Sequence, residues 1–381
     1  MKFYDIYPLY DIEPVKGFGC KLYDSNGNGY LDFFGGHGVI SIGHSHPHFI
    51  KKITNQINNL LFYSNSFKSS LKEKFSEMLG KISGYENYDL FLVNSGAEAV
   101  ENAIKLSSFY NGRKKVLAIK KAFHGRTALS IAITDNPKMK SPINNIIKTK
   151  FIDINNIEET IRAINTQEFC SVIIEGIQGV GGIHIPGKDY LIEIQKICNV
   201  TDTVFIIDEI QSGYGRTGKF FAHQHFGIKP DLITIAKGMA NGIPAGGVLI
   251  NKKFKPVHGM LGSTFGGNQL ACTGGIAVLE IIKKEKLIQN AELIGSYLIK
   301  KLRLNKNIKE VRGMGLMIGI EFNFPVNDLR KKLMKEYKIL VGSSGNNIIR
   351  LLPPLSINKI EADYFLNSLS SALSKNNSNY K

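Results

Sequence analysis

The feature that most constrains the fold is a series of short apolar segments separated by stretches with helical spacing. Six segments are apolar over most of their length: DLFLVNSG, KVLAIKK, SVIIEGI, TVFIIDEI, DLITIAKG and AGGVLIN. Helical stretches such as SLKEKFSEMLGKIS, with apolar residues three and four positions apart, alternate with strands of this kind. Strands that are apolar on both faces must be covered on both faces, and intervening helices provide that cover. The pattern therefore predicts an α/β fold with a mostly parallel sheet.

Changes in this pattern predict where the domains begin and end. Residues 18–40 have the pattern of short strands joined by turns, and the alternation of helices and strands starts near residue 45. A long helical pattern covers residues 271–303, and a new strand region, EVRGMGLMIGIEF, follows it. We place the start of a second, smaller domain at this transition. The polar tail SKNNSNYK is expected to fray.

The composition restricts the class of protein. No apolar run approaches the ~18 residues of a membrane-spanning helix, and the opening MKFYDIYPLY has no apolar core of a secretory signal. The four cysteines are scattered, which argues against a zinc site and against a disulfide framework. These features predict a cytoplasmic enzyme without a bound metal.

The net charge of +16 raises the alternative of a basic nucleic-acid-binding protein. The lysines, however, are spread along the chain and interleaved with acids, as in IIKKEK and NDLRKKLMKEYK, and do not form one stripe with aromatic residues. Lysines on solvated faces explain this distribution better. We therefore predict no nucleic-acid partner, and expect the positive field to favour small anionic ligands.

Two motifs resemble metal sites without completing one. DSNGNGYLDFFG matches a calcium loop from Asp24 onward, but Gly35 stands at the twelfth position, where a bidentate glutamate is required. We interpret the motif as a turn between two strands. The stretch GGHGVISIGHSHPH carries four histidines, but no nearby cysteine or carboxylate completes a ligand set, so we interpret them as loop histidines near a polar cleft.

The stretch DLITIAKGMANGIPAGG places a lysine, Lys237, at the end of an apolar strand. Its neighbours Ala236, Gly238 and Gly242 leave space for a bulky group close to the backbone. A lysine removed from water has a lowered pKa and is suited to forming a Schiff base. A lysine that points into solvent is the alternative, because most lysines are exposed.

A carboxylate at the end of another strand is a candidate partner for a cation. Asp208 follows four apolar residues, so its side chain would stand at the carboxyl end of a strand, where α/β sheets bind ligands. A protonated pyridine nitrogen is one such cation. A helix N-cap is the competing interpretation of an isolated aspartate in this position.

Small and hydroxyl residues form two candidate phosphate sites. In FLVNSGAEAV, Ser95, Gly96 and Ala97 lie between a strand and a helix, and a helix N-terminus binds phosphate well. An ordinary serine-capped helix has the same local pattern. In HGSTFGGN, the pair Ser263 and Thr264 precedes glycines and suits phosphate or carboxylate.

Taken in order, these motifs resemble those of the class III aminotransferases, the ω-amino type of pyridoxal-phosphate enzyme with fold type I. The resemblance covers nearly the whole chain and includes NSGAEAVENAIK, FHGRT, IIEGIQG, IIDEIQSGYGRTG, AKGMANGIPAGG, GSTFGGN and RGMGLMIGIEF. It implies a large domain with a mostly parallel seven-stranded sheet, and a smaller α+β domain built from both chain ends. The segments would be 1–45 (small domain), 46–271 (large domain) and 272–381 (small domain).

The resemblance also implies a cofactor, pyridoxal 5′-phosphate, and residues that hold it. Lys237 would attach the cofactor and then act as base and acid, and Asp208 would keep its pyridine nitrogen protonated. Phe123 would stack on the ring, and Gln211 would contact its 3-oxygen.

The phosphate of that cofactor would bind at the turn formed by Ser95, Gly96 and Ala97. Thr264 would reach the same phosphate from the neighbouring subunit, because the resemblance implies a homodimer. The compact length and FHGRT are most similar to the members that act on N-acylated ornithine, with 2-oxoglutarate and glutamate as the second pair of substrates.

Two arginines would bind the substrate carboxylates. Arg126 would pair with the α-carboxylate of the acylornithine, assisted by Ser263, and Arg350 would bind the α-carboxylate of glutamate. The chain departs from the usual E-P-x-Q-G-E-G-G motif: Gly176 replaces the proline and Val180 replaces the second glutamate. That glutamate pairs with the equivalent arginine in relatives, so substrate switching is expected to differ here.

Overall fold

The computed structural model describes residues 1–374, apart from the side chain at position 146. Its strands are β1 (Pro14–Phe18), β2 (Lys21–Asp24), β3 (Gly29–Asp32), β4 (Tyr88–Val93), β5 (Lys115–Ile119), β6 (Thr149–Ile152), β7 (Phe169–Glu175), β8 (Val204–Asp208), β9 (Leu232–Ile235), β10 (Gly246–Asn251), β11 (Glu310–Met314), β12 (Met317–Glu321), β13 (Ile339–Leu340), β14 (Gly342–Ser344) and β15 (Ile348–Leu351).

The α-helices in the same range are α1 (Gly35–Gly38), α2 (Pro47–Asn59), α3 (Ser70–Ser83), α4 (Gly96–Asn111), α5 (Ala128–Ala132), α6 (Ile157–Asn165), α7 (Lys188–Thr201), α8 (Gln269–Lys284), α9 (Leu287–Leu302), α10 (Asn327–Tyr337) and α11 (Lys359–Ser374). Short 3₁₀ helices cover Pro137–Met139, Pro142–Ile146, Ala222–His225 and Lys237–Met239. None of the helices described is long and apolar enough to cross a membrane.

The largest sheet has seven strands in the order β4-β10-β9-β8-β7-β5-β6. The strand pairs from β6 to β9 are parallel, and β10 runs antiparallel to both of its neighbours. The predicted α/β fold with a mostly parallel sheet is therefore confirmed. The parallel strands end at one edge of the sheet, and their loops begin there.

Both faces of this sheet are buried, as the apolar strand sequences predict. On β8, Val204 and Ile206 pack into one core with residues of α4, whereas Phe205 and Ile207 pack into another with residues of α7. Successive side chains of a strand point to opposite faces, so this alternation shows helices covering the sheet on both sides. Each fully buried side chain of this size stabilises the fold by about 1.5–3 kcal/mol relative to exposure.

Two smaller sheets lie beside the large one. In the first, β1, β2 and β3 are joined by β13, which pairs in parallel with β3, so that the N-terminal and C-terminal parts of the chain share one sheet. The second has the order β11-β12-β15-β14. The boundaries at 45/46 and 271/272 stay a prediction.

The structure refines several local expectations. The helical pattern of 271–303 forms two helices, α8 and α9, because Lys286 adopts a left-handed φ of 53° between them. Strand β6 is absent from our six candidate segments, since it is a short edge strand that carries a lysine. The Asp24 motif is the expected turn, with both carboxylate oxygens accepting hydrogen bonds from the residues that follow. Most of the tail predicted to fray, from residue 375, lies outside the described residues.

The four motif histidines do not act as one group. Three of them form contacts with acids: His44 with Asp32, His46 with Glu285 and His48 with Glu280. The interpretation as loop histidines is wrong for His48, which lies in α2, and only the fourth, His37, contacts a residue of the cavity described below, through its carbonyl.

Candidate active site

A cavity of about 290 Å³ opens where the central parallel strands end. Glu175 on β7 pairs in register with Asp208 on β8, which pairs with Thr234 on β9, so the strand ends are level. Of the residues predicted for the site, those in its walls are Ser95, Gly96, Ala97, Phe123, Asp208, Gln211 and Lys237. The edge at which a parallel sheet binds ligands is therefore the edge that gathers these side chains.

Lys237 lies two residues beyond β9, at the start of a 3₁₀ helix, with a φ of 46°. A left-handed conformation costs a residue other than glycine of order 1–3 kcal/mol, so the surrounding structure must hold it. Among the described residues, none accepts a hydrogen bond from its ammonium group. Burial lowers the pKa of Lys237 to about 8; Asp208 and Glu175 oppose this shift, and Arg350 adds to it. An amine with this pKa is partly uncharged near neutral pH and can act as a nucleophile.

Asp208 is a buried carboxylate with defined partners. Its Oδ2 lies 2.7 Å from Nδ1 of the fully buried His124, and its Oδ1 accepts a hydrogen bond of 3.0 Å from the backbone N–H of Ile210. The opposite ring nitrogen of His124 is buried and has no partner among the described residues. These contacts fix the carboxylate at the end of β8. The competing interpretation of Asp208 as a helix N-cap is wrong, because no helix begins directly after β8.

The N-terminus of α4 forms one wall of the cavity. Ser95 caps the helix, accepting a hydrogen bond of 3.2 Å from the N–H of Glu98. A Cβ atom at Gly96 would lie 2.8 Å from Cδ1 of Ile210, so a larger residue here would displace that side chain. The first N–H groups of a helix lack partners within the helix and attract anions. A phosphate can therefore approach the backbone here closely.

The family comparison covers almost the whole chain. The profile of the family described as aminotransferase class-III matches residues 7–373. The chain belongs to the class III aminotransferases.

Relatives of known name agree with this family. The acetylornithine aminotransferases of Caldanaerobacter subterraneus subsp. tengcongensis and Methanocaldococcus jannaschii are both 38% identical to the chain. The first alignment covers 97% of this chain and 97% of the Caldanaerobacter protein. The second covers 96% of this chain and 94% of the Methanocaldococcus protein. An ornithine aminotransferase structure from Toxoplasma gondii, in which PLP partly occupies the active site, superposes with a TM-score of 0.91 at 29% identity, covering 99% of this chain and 93% of that one.

This aminotransferase is a pyridoxal-phosphate enzyme. The residues of the cavity fit that cofactor: Lys237 supplies an amine, Asp208 a carboxylate for a pyridinium nitrogen, and α4 an N-terminus for a phosphate. The fit extends to Gln211, whose Nε2 donates a hydrogen bond of 2.9 Å to the carbonyl of His37. Its Oε1 is buried without a partner among the described residues, and is free to contact a ring substituent.

Four predicted residues of the aminotransferase lie outside the walls of this cavity. Arg126 is exposed and has no ion-pair partner among the residues described, and Thr264 is also exposed. Ser263 is one contact away, since its hydroxyl accepts a hydrogen bond of 3.2 Å from Asn94 in the cavity wall. Arg350 is buried on β15 and is near Lys237, whose pKa its charge lowers. The roles given to these residues stay predictions.

Two further residues of the site were not assigned roles from the sequence. Glu175 ends β7 as Asp208 ends β8, and the rule that identified Asp208 applies to it equally. Its carboxylate accepts hydrogen bonds from the N–H groups of Phe123 at 3.1 Å and Gly179 at 2.8 Å. Burial raises the pKa of Glu175, and His124 opposes the shift. His124, the second such residue, stands in FHGRT, but no local signal places its ring on Asp208.

Proposed function

We propose that the chain transfers the 5-amino group of N2-acetyl-L-ornithine to 2-oxoglutarate, giving N-acetyl-L-glutamate 5-semialdehyde and L-glutamate in arginine biosynthesis. The observation that carries the proposal is a set of cations at the active site. Burial lowers the pKa of the His37 imidazole, and the charges of Arg350, Lys237 and Arg126 also lower it. Both arginines lack a carboxylate partner among the described residues, and both proposed substrates carry carboxylates. The similarity to named acetylornithine aminotransferases supports the choice of substrate.

The side chains divide the chemistry between them. When bound, pyridoxal phosphate would supply a carrier for the amino group and a sink for electrons from the reacting carbon. Lys237 would attach it and move a proton to and from the reacting carbon, since its buried amine lies in the cavity wall and burial lowers its pKa to about 8. Asp208 holds a proton at the pyridine nitrogen, while His124 keeps the carboxylate in position. Phe123 covers the ring.

An N-succinylornithine or ornithine aminotransferase is the nearest alternative, and the structural similarity to the Toxoplasma ornithine enzyme favours the latter. An aminomutase of the same family is a further alternative, because it uses the same chemistry without releasing a keto product. Purified protein with acetylornithine and 2-oxoglutarate should turn over repeatedly and form semialdehyde and glutamate in equal amounts, whereas without 2-oxoglutarate it should form at most one equivalent of semialdehyde per active site. Repeated conversion of an amino donor without any acceptor would instead support an aminomutase.

The two arginines should affect different substrates. Arg126→Ala is expected to weaken the binding of acetylornithine much more than the binding of glutamate, because it removes the cation proposed to pair with the acetylornithine carboxylate. Arg350→Ala should mainly weaken glutamate and 2-oxoglutarate. Each half-reaction is measured alone, by following the visible absorbance of the bound cofactor. Equal losses in both half-reactions for both variants would contradict this division.

Val180 should make the enzyme favour glutamate. Because position 180 carries no carboxylate, Arg350 stays available to a substrate with a carboxylate on the reacting carbon. We expect the substrate glutamate to bind relatively tightly. It should inhibit amino transfer from acetylornithine more strongly than it does in relatives that carry a glutamate residue at the position of Val180. Val180→Glu should weaken the binding of glutamate and leave the binding of the ornithine derivative unchanged. Val180→Gln is the uncharged control.

A double-mutant cycle measures whether residues 180 and 350 interact. The coupling energy between Val180→Glu and Arg350→Ala for glutamate binding should be about 0.5–3 kcal/mol. A coupling near zero, together with unchanged glutamate affinity in Val180→Glu, would show that position 180 does not address Arg350.

We also propose a homodimer in which Thr264 reaches the partner's cofactor phosphate. An apolar surface beside Thr264 supports this: Leu60, Leu61 and Phe67 are exposed, and Phe265 is exposed against Phe62. Residues 60–67 are joined to the loop that carries Thr264 by Asn65, whose Nδ2 donates a hydrogen bond of 2.6 Å to the carbonyl of Ser263. No membrane or nucleic-acid partner is proposed, and a cytoplasmic location stays a prediction.

Mixed dimers test this arrangement. Thr264→Ala should weaken cofactor binding in the homodimer, whereas Lys237→Ala should abolish activity. If Thr264 acts across the interface, a mixed dimer of the two variants has one intact site and recovers wild-type cofactor affinity there. The absence of recovery in verified mixed dimers would place Thr264 in its own subunit's site.

A further inference from the structure

Arg350 is a buried cation with an incomplete set of partners. Its side chain lies on β15, and the residue is 4% exposed. Its Nε donates a hydrogen bond of 2.9 Å to the carbonyl of Ser343, and its Nη1 is buried without a partner among the described residues. Burial, with a smaller contribution from the charge of Arg330, lowers its pKa to about 10. A buried guanidinium of this kind calls for an anion.

Glu175, the acid whose charge acts on Arg350, does not pair with the guanidinium. Glu175 opposes the lowering of the Arg350 pKa, so its charge reaches the guanidinium. Both of its oxygens, however, already accept hydrogen bonds from the N–H groups of Phe123 and Gly179, and no ion pair joins it to Arg350. Its own pKa is raised by burial, which favours its neutral form.

Val180 is linked to Arg350 through β14 and contributes no charge. Ser344 Oγ donates a hydrogen bond of 2.5 Å to the carbonyl of Val180, and the neighbouring Ser343 holds the Nε of Arg350. Two consecutive residues of β14 therefore connect position 180 to the arginine. The Val180 side chain lines the cofactor cavity and is 39% exposed, so space beside it is open to solvent and to small solutes.

We propose that a small monovalent anion, such as chloride, binds between Val180 and the Arg350 guanidinium whenever the amino donor has no carboxylate on its reacting carbon. The proposal rests on the proposed function, because it concerns the half-reaction of a terminal amine. Glutamate brings its own carboxylate to Arg350 and excludes the anion. The terminal amine of an ornithine derivative brings none, and the anion then neutralises the arginine.

Anion dependence of the separate half-reactions tests the proposal. Cofactor-loaded protein is mixed with acetylornithine alone or glutamate alone, in chloride or in bulky gluconate at constant ionic strength. Chloride should accelerate the acetylornithine half-reaction about tenfold, which corresponds to about 1.4 kcal/mol. It should inhibit the glutamate half-reaction by competing with glutamate. Val180→Glu supplies a built-in carboxylate and should lose both effects, whereas Val180→Gln, of similar size, should keep them.

A measurement without catalysis separates this proposal from the proposed function. In cofactor-free protein, chloride should raise the unfolding temperature of the wild type and of Val180→Gln more than that of Val180→Glu, since a ligand stabilises the state that binds it. If acetylornithine is not a donor, its half-reaction fails in every salt, and the proposed function is wrong. The competition between chloride and glutamate and the change in unfolding temperature would still show whether chloride binds. Equal chloride effects in all three proteins would overturn the anion site.

Discussion

Lys237→Ala should abolish amino transfer, with a loss in kcat of more than about 10⁴-fold, since both covalent attachment of the cofactor and proton transfer depend on this amine. The variant should still bind pyridoxal phosphate, because the other cavity contacts, at α4 and Asp208, remain. The wild-type protein should be yellow, its visible absorbance should shift when an amino donor is added, and borohydride should fix the cofactor onto Lys237. Peptide mass mapping after reduction identifies the labelled residue.

A matched control is Lys219→Ala, which removes an exposed lysine outside the cavity and should leave activity and labelling unchanged. Label on a lysine other than Lys237 would contradict the assignment. So would a colourless wild-type protein that stays inactive with added pyridoxal phosphate.

Asp208→Asn should give the second largest loss, of several orders of magnitude in kcat. The amide has nearly the shape of the carboxylate and can keep a hydrogen bond to His124, but it carries no charge to hold a proton at the pyridine nitrogen. The loss should therefore appear in kcat, with the fold intact by circular dichroism. Asp208→Glu restores the charge at a shifted position and should be less impaired than Asp208→Asn.

Asp208→Asn should also lower the pKa of Lys237. The charge of Asp208 raises the pKa of Lys237 against the effect of burial, so removing it should lower that pKa further below about 8. The pH at which cofactor-free protein captures pyridoxal phosphate at half its maximal rate should then fall, because the uncharged amine is the attacking form. A midpoint that rises or stays constant would show that the Asp208 charge does not reach Lys237.

The central part of the fold could be predicted because its strands are apolar on both faces. That pattern identified β4, β5, β7, β8, β9 and β10, and only the charged edge strand β6 escaped it. Asp208 and Lys237 could be found for the same reason, since a charged residue at the end of a buried strand is unexpected unless it has a ligand. The resemblance supplied the roles of the other predicted residues.

Other features depend on contacts between distant segments and have no local signal. The ring of His124 contacts Asp208 across 84 positions of the chain, and the hydrogen bond from the Ser344 hydroxyl to the Val180 carbonyl spans 164. The break between α8 and α9 depends on the backbone of Lys286, although lysine itself is a good helix former. Glu175 is different, because the rule that identifies Asp208 at the end of β8 also identifies Glu175 at the end of β7 from the sequence alone.

The most direct measurement of the central claim is a comparison of amino donors under identical conditions. With saturating 2-oxoglutarate, kcat/KM is determined for N2-acetyl-L-ornithine, N2-succinyl-L-ornithine and free L-ornithine, with glutamate formation as the readout. We expect acetylornithine to have the highest value, and Arg126→Ala to reduce it without a matching loss in the glutamate half-reaction. A highest value for succinylornithine or free ornithine, or no glutamate from any of the three, would contradict the proposed function.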